Sequence, residues 1–381
     1  MIRTILSIAI LFGGICFISC SNGGSRHDDH QFPKYVIAYA YPGSRLIQKE
    51  EIDAARLSHI IYSFANIVDG RMVHGYATDA ENLALLGRMR DSHPHLKVMV
   101  AAGGWTWSGN FSDMALTAES RAIFIESAVQ YLEEHRLDGI DLDWEYPGLP
   151  GDNNVHRPED KENFTALLRE LRQAFDAKGG AERRYLLTIA AATFQAYVDN
   201  VELPEIAEVL DFINLMTYDF IGEWSNMTGH HTNLYSPAHA PGSLSVDSGV
   251  RLFLENGVTR DKLVIGAAFY GRGWGGVRAE SHGLYQPGRG LTNVNLRYHS
   301  IVTRFLADTA FEQRWDEQAS APYLWNAADS IFITYDNPES LRAKAAYVKE
   351  QDLKGIMFWQ LFADHDGDLL NTLHEALSGS R

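Results

Sequence analysis

Asp138-Gly139-Ile140-Asp141-Leu142-Asp143-Trp144-Glu145-Tyr146-Pro147 sets acids at 138, 141, 143 and 145 inside a short apolar run. Such a run reads as a buried strand, in which successive side chains point to opposite faces. Asp141, Asp143 and Glu145 then share one face, with Ile140, Leu142 and Trp144 on the other. Burying three carboxyls in a row is costly unless their surroundings are built for them. Neighbours on one face lie roughly 6–7 Å apart and can share a proton. Like-charge repulsion then keeps one carboxyl protonated near neutral pH, as a general acid must be.

Spacing alone does not decide this. In a chain of 381 residues with 49 acids, four acids at fixed positions arise by chance roughly 0.1 times. The bland reading is a solvated acidic edge, against which stand the apolar residues between the acids. Working outward, seven further apolar, β-rich runs accompany this one: 35–41, 59–66, 97–104, 186–193, 212–219, 263–271 and 355–362. Most gaps between them carry helical spacing. Ser120 to Leu137 puts Ile123, Phe124, Ala128, Val129, Tyr131 and Leu132 on one stripe, and Pro158 to Lys178 does so with Phe164, Leu167, Leu168, Leu171 and Phe175. Helices are also expected from Asn337 to Gln351 and from Asp366 to Leu377.

Eight strands alternating with helices predict an α/β fold, a (β/α)8 TIM barrel, whose active site lies at the strand C-terminal ends. Glu145 sits at such an end, as do Trp105 after Gly103-Gly104, Asp219 after Tyr218, and Arg272 after Tyr270. Trp359 lies within the last strand. The long gap at 273–333, with a helix expected over Tyr298–Thr309, reads as a small α+β insertion between strands 7 and 8. Catalytic barrel and insertion together span 34–378.

Composition narrows the partners. A formal charge of −16 makes nucleic acid a poor partner, because phosphate contact needs a basic face, and 45% hydrophobic content marks a folded chain. Residues 1–20 read as an export signal, with Arg3 ahead of an apolar run from Ile5 to Ile18. Phe17-Ile18-Ser19-Cys20 resembles a bacterial lipoprotein processing site, which would make Cys20 a lipid-bearing anchor. Residues 21–33 read as a flexible tether. Cys16 and Cys20 are the only cysteines, so no disulfide is expected beyond the signal. The 15 histidines contain no His-x-x-x-His pair, and His230-His231 in a polar loop are expected at the surface. Neither a metal nor a cofactor is expected, and the chain is read as a monomer.

Asp138-x-x-Asp141-x-Asp143-x-Glu145 resembles the signature of family-18 glycoside hydrolases, the chitinase family. Separate motifs on separate strands carry the likeness over roughly 35–378. Ala101-Ala102-Gly103-Gly104-Trp105 is similar to the third-strand motif and Leu215-Met216-Thr217-Tyr218-Asp219 to the sixth. Phe269-Tyr270-Gly271-Arg272 and Met357-Phe358-Trp359 match the seventh and eighth.

The resemblance implies retaining hydrolysis of β-1,4 bonds in N-acetylglucosamine polymers, the substrate's own acetamido oxygen acting as nucleophile. Glu145 would be the acid, Asp143 would hold the acetamido N–H, and Tyr218 its carbonyl, with Asp141 and Asp219 alongside. Trp359 would floor the reacting sugar and Trp105 and Trp224 stack on its neighbours. Tyr39, Tyr270 and Arg272 would line the cleft with Gly103 and Gly104, while Met216 reads first as packing. Non-proline cis peptides would fall at Ser63-Phe64, Glu145-Tyr146 and Trp359-Gln360. One departure stands out: Ala101 replaces the usual serine, which predicts an under-provided Asp141 and a displaced pH profile. Two other functions compete: an endo-β-N-acetylglucosaminidase acting on glycans or peptidoglycan, and a chitinase-like lectin. The presence of Glu145 speaks against the lectin.

Overall fold

Small and β-branched residues let the apolar runs lie flat between two packed layers. In the computed structural model, which describes residues 32–378 apart from 182 and 241, they account for eight of the fourteen described strands. In chain order the fourteen are β1 (Tyr35–Ala40), β2 (His59–Val68), β3 (Arg71–His74), β4 (Lys97–Gly103), β5 (Gly139–Asp143), β6 (Leu186–Ala192) and β7 (Phe212–Met216). Then follow β8 (Leu263–Ala268), β9 (Gly271–Gly275), β10 (Arg289–Gly290), β11 (Glu312–Asp316), β12 (Ala321–Asn326), β13 (Ile331–Tyr335) and β14 (Gly355–Trp359). Parallel pairing runs β1-β14-β8-β7-β6-β5-β4-β2, and β1 pairs with β2 to close the eight-stranded barrel. The export signal, both cysteines and the anchor position lie outside the described residues. Phe32, expected in the tether, is instead buried against His95 and His374.

Strand alternation divides the core in two. Ile37, Tyr39, Ile61, Met99, Ala101 and Met357 fill the barrel interior, while Val36, Ala38, Ile60 and Val98 face the surrounding helices. The helix Asp160–Gly179 buries Phe164, Leu167, Leu168, Leu171 and Phe175, the stripe its spacing predicts. The helices Ala118–Glu134 and Pro338–Glu350 start where Thr117 and Asn337 cap them, each accepting the N–H of the serine three residues on.

The segment between β8 and β14 forms a second, antiparallel sheet in the order β10-β9-β13-β12-β11. It has its own core of Trp274, Leu284, Tyr323, Trp325 and Phe332. It leaves and rejoins the barrel side by side, because Gly271 pairs with Tyr335. The helix expected over Tyr298–Thr309 is one α-turn, Tyr298–Ser300, running into a π-helical stretch, Ile301–Leu306. Just past β13, Asp336 accepts from Lys344 Nζ at 2.6 Å and from the Ala268 N–H at 3.0 Å, all out of contact with water. The three peptide bonds Ser63-Phe64, Glu145-Tyr146 and Trp359-Gln360 are cis.

Candidate active site

β5 turns Asp141 and Asp143 into the barrel, and its C-terminal end leads directly to Glu145. Asp141 is fully buried and well provided. Tyr39 Oη donates to Oδ2 at 2.8 Å, and Thr188 Oγ1 and Asn214 Nδ2 donate to Oδ1 at 2.6 and 3.2 Å. These donors come from β1, β6 and β7, three strands that the acid motif says nothing about. The expected shortfall at Ala101, which lies in register with Asp141 on β4, is therefore corrected: neighbouring strands supply what the absent hydroxyl would have given. Burial pushes the Asp141 carboxyl up, and its three donors pull it back.

Asp143 has no such support, and its Oδ1 is buried without a partner. Burial, then repulsion from Glu145 and Asp141, raises its carboxyl well above the ordinary range. Glu145 is pushed up to about 7, chiefly by burial, with a further rise from Asp219 and a partial offset from the Tyr146 hydroxyl. Desolvation thus leads and charge repulsion follows, the reverse of the weight that the spacing of the acids suggests.

Asp219 behaves oppositely. Burial alone would raise it, but His231 and the Arg272 guanidinium outweigh burial and hold it well below the usual carboxylate range. Arg272 grips both Asp219 oxygens, Nε at 2.9 Å and Nη2 at 2.8 Å, while Nη1 holds Glu223. The same guanidinium lies 5.2 Å from the Trp224 ring and 5.3 Å from the Tyr270 ring. His230 and His231, expected at the surface, are both buried: Nδ1 of His231 lies 3.6 Å from Asp219, and Nε2 of His230 lies 3.3 Å from Asp316.

Aromatic side chains complete the rim. Trp105 and Trp224 are 51% and 64% exposed, too open for core residues. Trp359 lies at the barrel mouth with Phe64 and Tyr41 stacked against it, each at 5.6 Å, and Tyr39 at 6.1 Å. Tyr218 packs edge-on to Tyr270, and its hydroxyl faces Met357 Sδ at 3.8 Å. Gly103 and Gly104 adopt positive φ where a side chain would strike the Asp143 carbonyl and Phe64. Met216 is half-buried among core residues, as packing predicts.

The candidate residues therefore gather at one end of the barrel. Thr188, Asn214, Glu223 and Ser108 join them without a signal in the sequence, since each meets its partner across the fold. A buried acid that keeps its proton near neutrality, beside a pinned carboxylate and open tryptophans, suits acid-assisted cleavage of a neutral, ring-shaped polymer. Among the described residues no group of three or more His, Cys, Asp or Glu side chains is placed to hold a metal ion.

A family model described as glycosyl hydrolases family 18 matches residues 34–364. Chitinase A1 of Niallia circulans is 40% identical over 309 residues, 77% of this chain and 44% of that protein. Chitotriosidase-1 of Mus musculus is 34% identical over 323 residues, 82% of this chain and 68% of that one. The chain thus spans less than half the length of the bacterial relative. Among solved structures, chitinase ChiA74 from Bacillus thuringiensis matches with a TM-score of 0.86 at 32% identity, covering 90% of this chain and 69% of that one. A family-18 N-acetylglucosaminidase from Paenibacillus barengoltzii gives 0.83 at 39%, covering 90% of this chain and all of that one.

Proposed function

The chain belongs to glycosyl hydrolases family 18, and from that membership we propose that it cleaves β-1,4 bonds between N-acetylglucosamine units of chitin or its oligosaccharides, with retention. The observation that carries this is Glu145, pushed up to about 7 by burial at the end of β5 and so still protonated near neutral pH. Glu145 gives its proton to the glycosidic oxygen as the C–O bond breaks. The acetamido oxygen of the same sugar closes on the anomeric carbon, forming an oxazolinium. Water then opens that ring, returning its proton to Glu145, and the double displacement retains configuration. Asp143 orients the acetamido N–H and faces the cationic intermediate, and Tyr218, kept protonated chiefly by burial, holds the acetamido carbonyl. Trp359 underlies the reacting sugar, with Trp105 and Trp224 on its neighbours.

The test is turnover of chitohexaose beside cellohexaose, with product analysis. The wild type should cut only the acetylated polymer, and Glu145→Gln should lose several orders of magnitude in kcat while still binding it. Glu145→Gln keeping more than about a tenth of kcat would remove the acid role. Comparable cleavage of cellohexaose would remove substrate assistance. The similarity to an N-acetylglucosaminidase favours one variant of the reading, release of single sugars from a chain end, which the product pattern distinguishes. We further infer that the protein is exported, held to a membrane by lipid on Cys20, and acts as a single copy. The signal-like residues 1–20 support the first two points.

A further inference from the structure

Two buried serines on one short helical segment fasten the chain on both sides of Glu145. Ser108 opens the turn Ser108–Asn110, which runs into the helix Phe111–Ala115, and both Ser108 and Ser112 are 0% exposed. Ser108 Oγ accepts the Glu145 N–H at 2.9 Å and lies 3.0 Å from the carbonyl oxygens of Gly104 and Asp143. A hydroxyl has one proton, so it donates to one of these carbonyls at a time. The Gly104 N–H donates to the same Asp143 carbonyl at 2.8 Å. One turn further, Ser112 Oγ donates to the fully buried Asp160 at 2.5 Å, whose other oxygen accepts the Gly148 N–H at 3.2 Å and the Arg157 N–H at 2.8 Å. The stretch from Glu145 to Gly148 is thereby held at its first and last residues from one support. Nothing in the acid motif announces this, because the partners of Ser108 and Ser112 lie 37 and 48 residues away.

We propose that Ser108, assisted by the Ser112–Asp160 pair, is a positioning residue that sets where the Glu145 carboxyl stands, an inference that rests on Glu145 as the proton donor. Neither serine is open to a substrate, so any effect on turnover must pass through Glu145. Without Oγ, the Glu145 N–H is buried and unpaired, and the segment relaxes toward water. An acid displaced by an ångström loses on the order of 100-fold in rate even where binding is intact. Asp143, Asp219, Tyr146, Tyr197 and Tyr218 are the titratable groups facing Glu145. Water entering among them relieves the burial that preserves its proton, so the high-pH limb of kcat moves down.

The experiment compares Ser108→Ala with Ser127→Ala, using chitohexaose turnover, pH profiles and melting curves. Ser127 Oγ also accepts a backbone N–H, from Met72 at 2.9 Å, and donates to the Phe124 carbonyl at 2.7 Å. Its loss therefore matches the structural cost without touching the acid. Ser108→Ala should lower kcat by about 10- to 100-fold with KM nearly unchanged and shift the high-pH limb down by roughly half a unit. Ser127→Ala should leave both where they are. If Ser108→Ala does not accumulate folded, Ser108→Cys, of similar shape but a weaker hydrogen-bond partner, should fall between wild type and that loss. A folded Ser108 variant with kcat within twofold of wild type and an unmoved limb overturns the proposal. So does an equal loss per folded molecule in Ser127→Ala. Glu145→Gln, run alongside, separates the two readings. Its retention of activity removes the acid itself, whereas an inactive Glu145→Gln beside unaffected Ser108 variants removes only the positioning role.

Discussion

Asp141 and Asp143 sit two residues apart on one strand, yet one carboxylate accepts three hydrogen bonds and the other keeps a buried oxygen without a partner. Donors favour the ionised form and dry burial favours the neutral one, so the proton belongs on Asp143 and Glu145 rather than on Asp141. Because the folded-state pKa of Glu145 is raised, its acid form fades as pH rises through about 7, and kcat should fall across that range. Ala101→Ser should leave this limb in place, since both Asp141 oxygens already have donors. A profile displaced by more than measurement error would mean that the tyrosine, threonine and asparagine do not fill the role. The motif on β5 made the acids legible, but their states were not. Tyr39, Thr188 and Asn214 reach Asp141 from strands separated in sequence by 47 to 102 residues. His231 is illegible for the same reason, because its N–H donates to Thr334 Oγ1 at 3.4 Å, 103 residues downstream.

The strands are more legible in the sequence than the elements between them. Each apolar run has neighbours on both sides in a closed parallel sheet, so burial on both faces writes itself into a continuous hydrophobic stretch. The ordinary helix expected over Tyr298–Thr309 differs from the observed α-turn and π-helical stretch because helical apolar spacing does not distinguish an α-turn from the wider π-helical turn that follows. The junction of β13, β8 and the helix Pro338–Glu350 rests on Lys344 and Asp336, an ion pair with neither side chain exposed beyond 1%. Burial lowers the Lys344 pKa, and Asp336 opposes that. Lys344→Met should therefore destabilise the protein by about 3–5 kcal/mol, because it leaves a buried carboxylate unpaired. Adding Asp336→Asn should recover part of the loss. Denaturant titration of the single and double variants measures both, and a Lys344→Met midpoint equal to wild type would show that water already reaches the pair.

At the scale of the whole molecule, no described helix is long and apolar enough to cross a membrane, and the proposed attachment rests on the signal-like residues 1–20 alone. Cys20→Ser, expressed with its own leader, should move the protein from the membrane fraction to the soluble one without changing its turnover of chitohexaose. Retention in the membrane fraction would remove the lipid from the proposal. The second sheet stands next to the loop that carries the exposed Trp224. It begins and ends at adjacent residues, Gly271 and Tyr335, and no barrel strand depends on it for pairing. Its edge strand β10 brings Gly290 against the backbone of Glu223, beneath the loop that carries Trp224. Such a graft can lengthen, shorten or vanish in a lineage while the carboxyls on β5 keep their places. On the proposed function, a change in this graft would alter which chain lengths bind and leave the bond-breaking groups on β5 untouched.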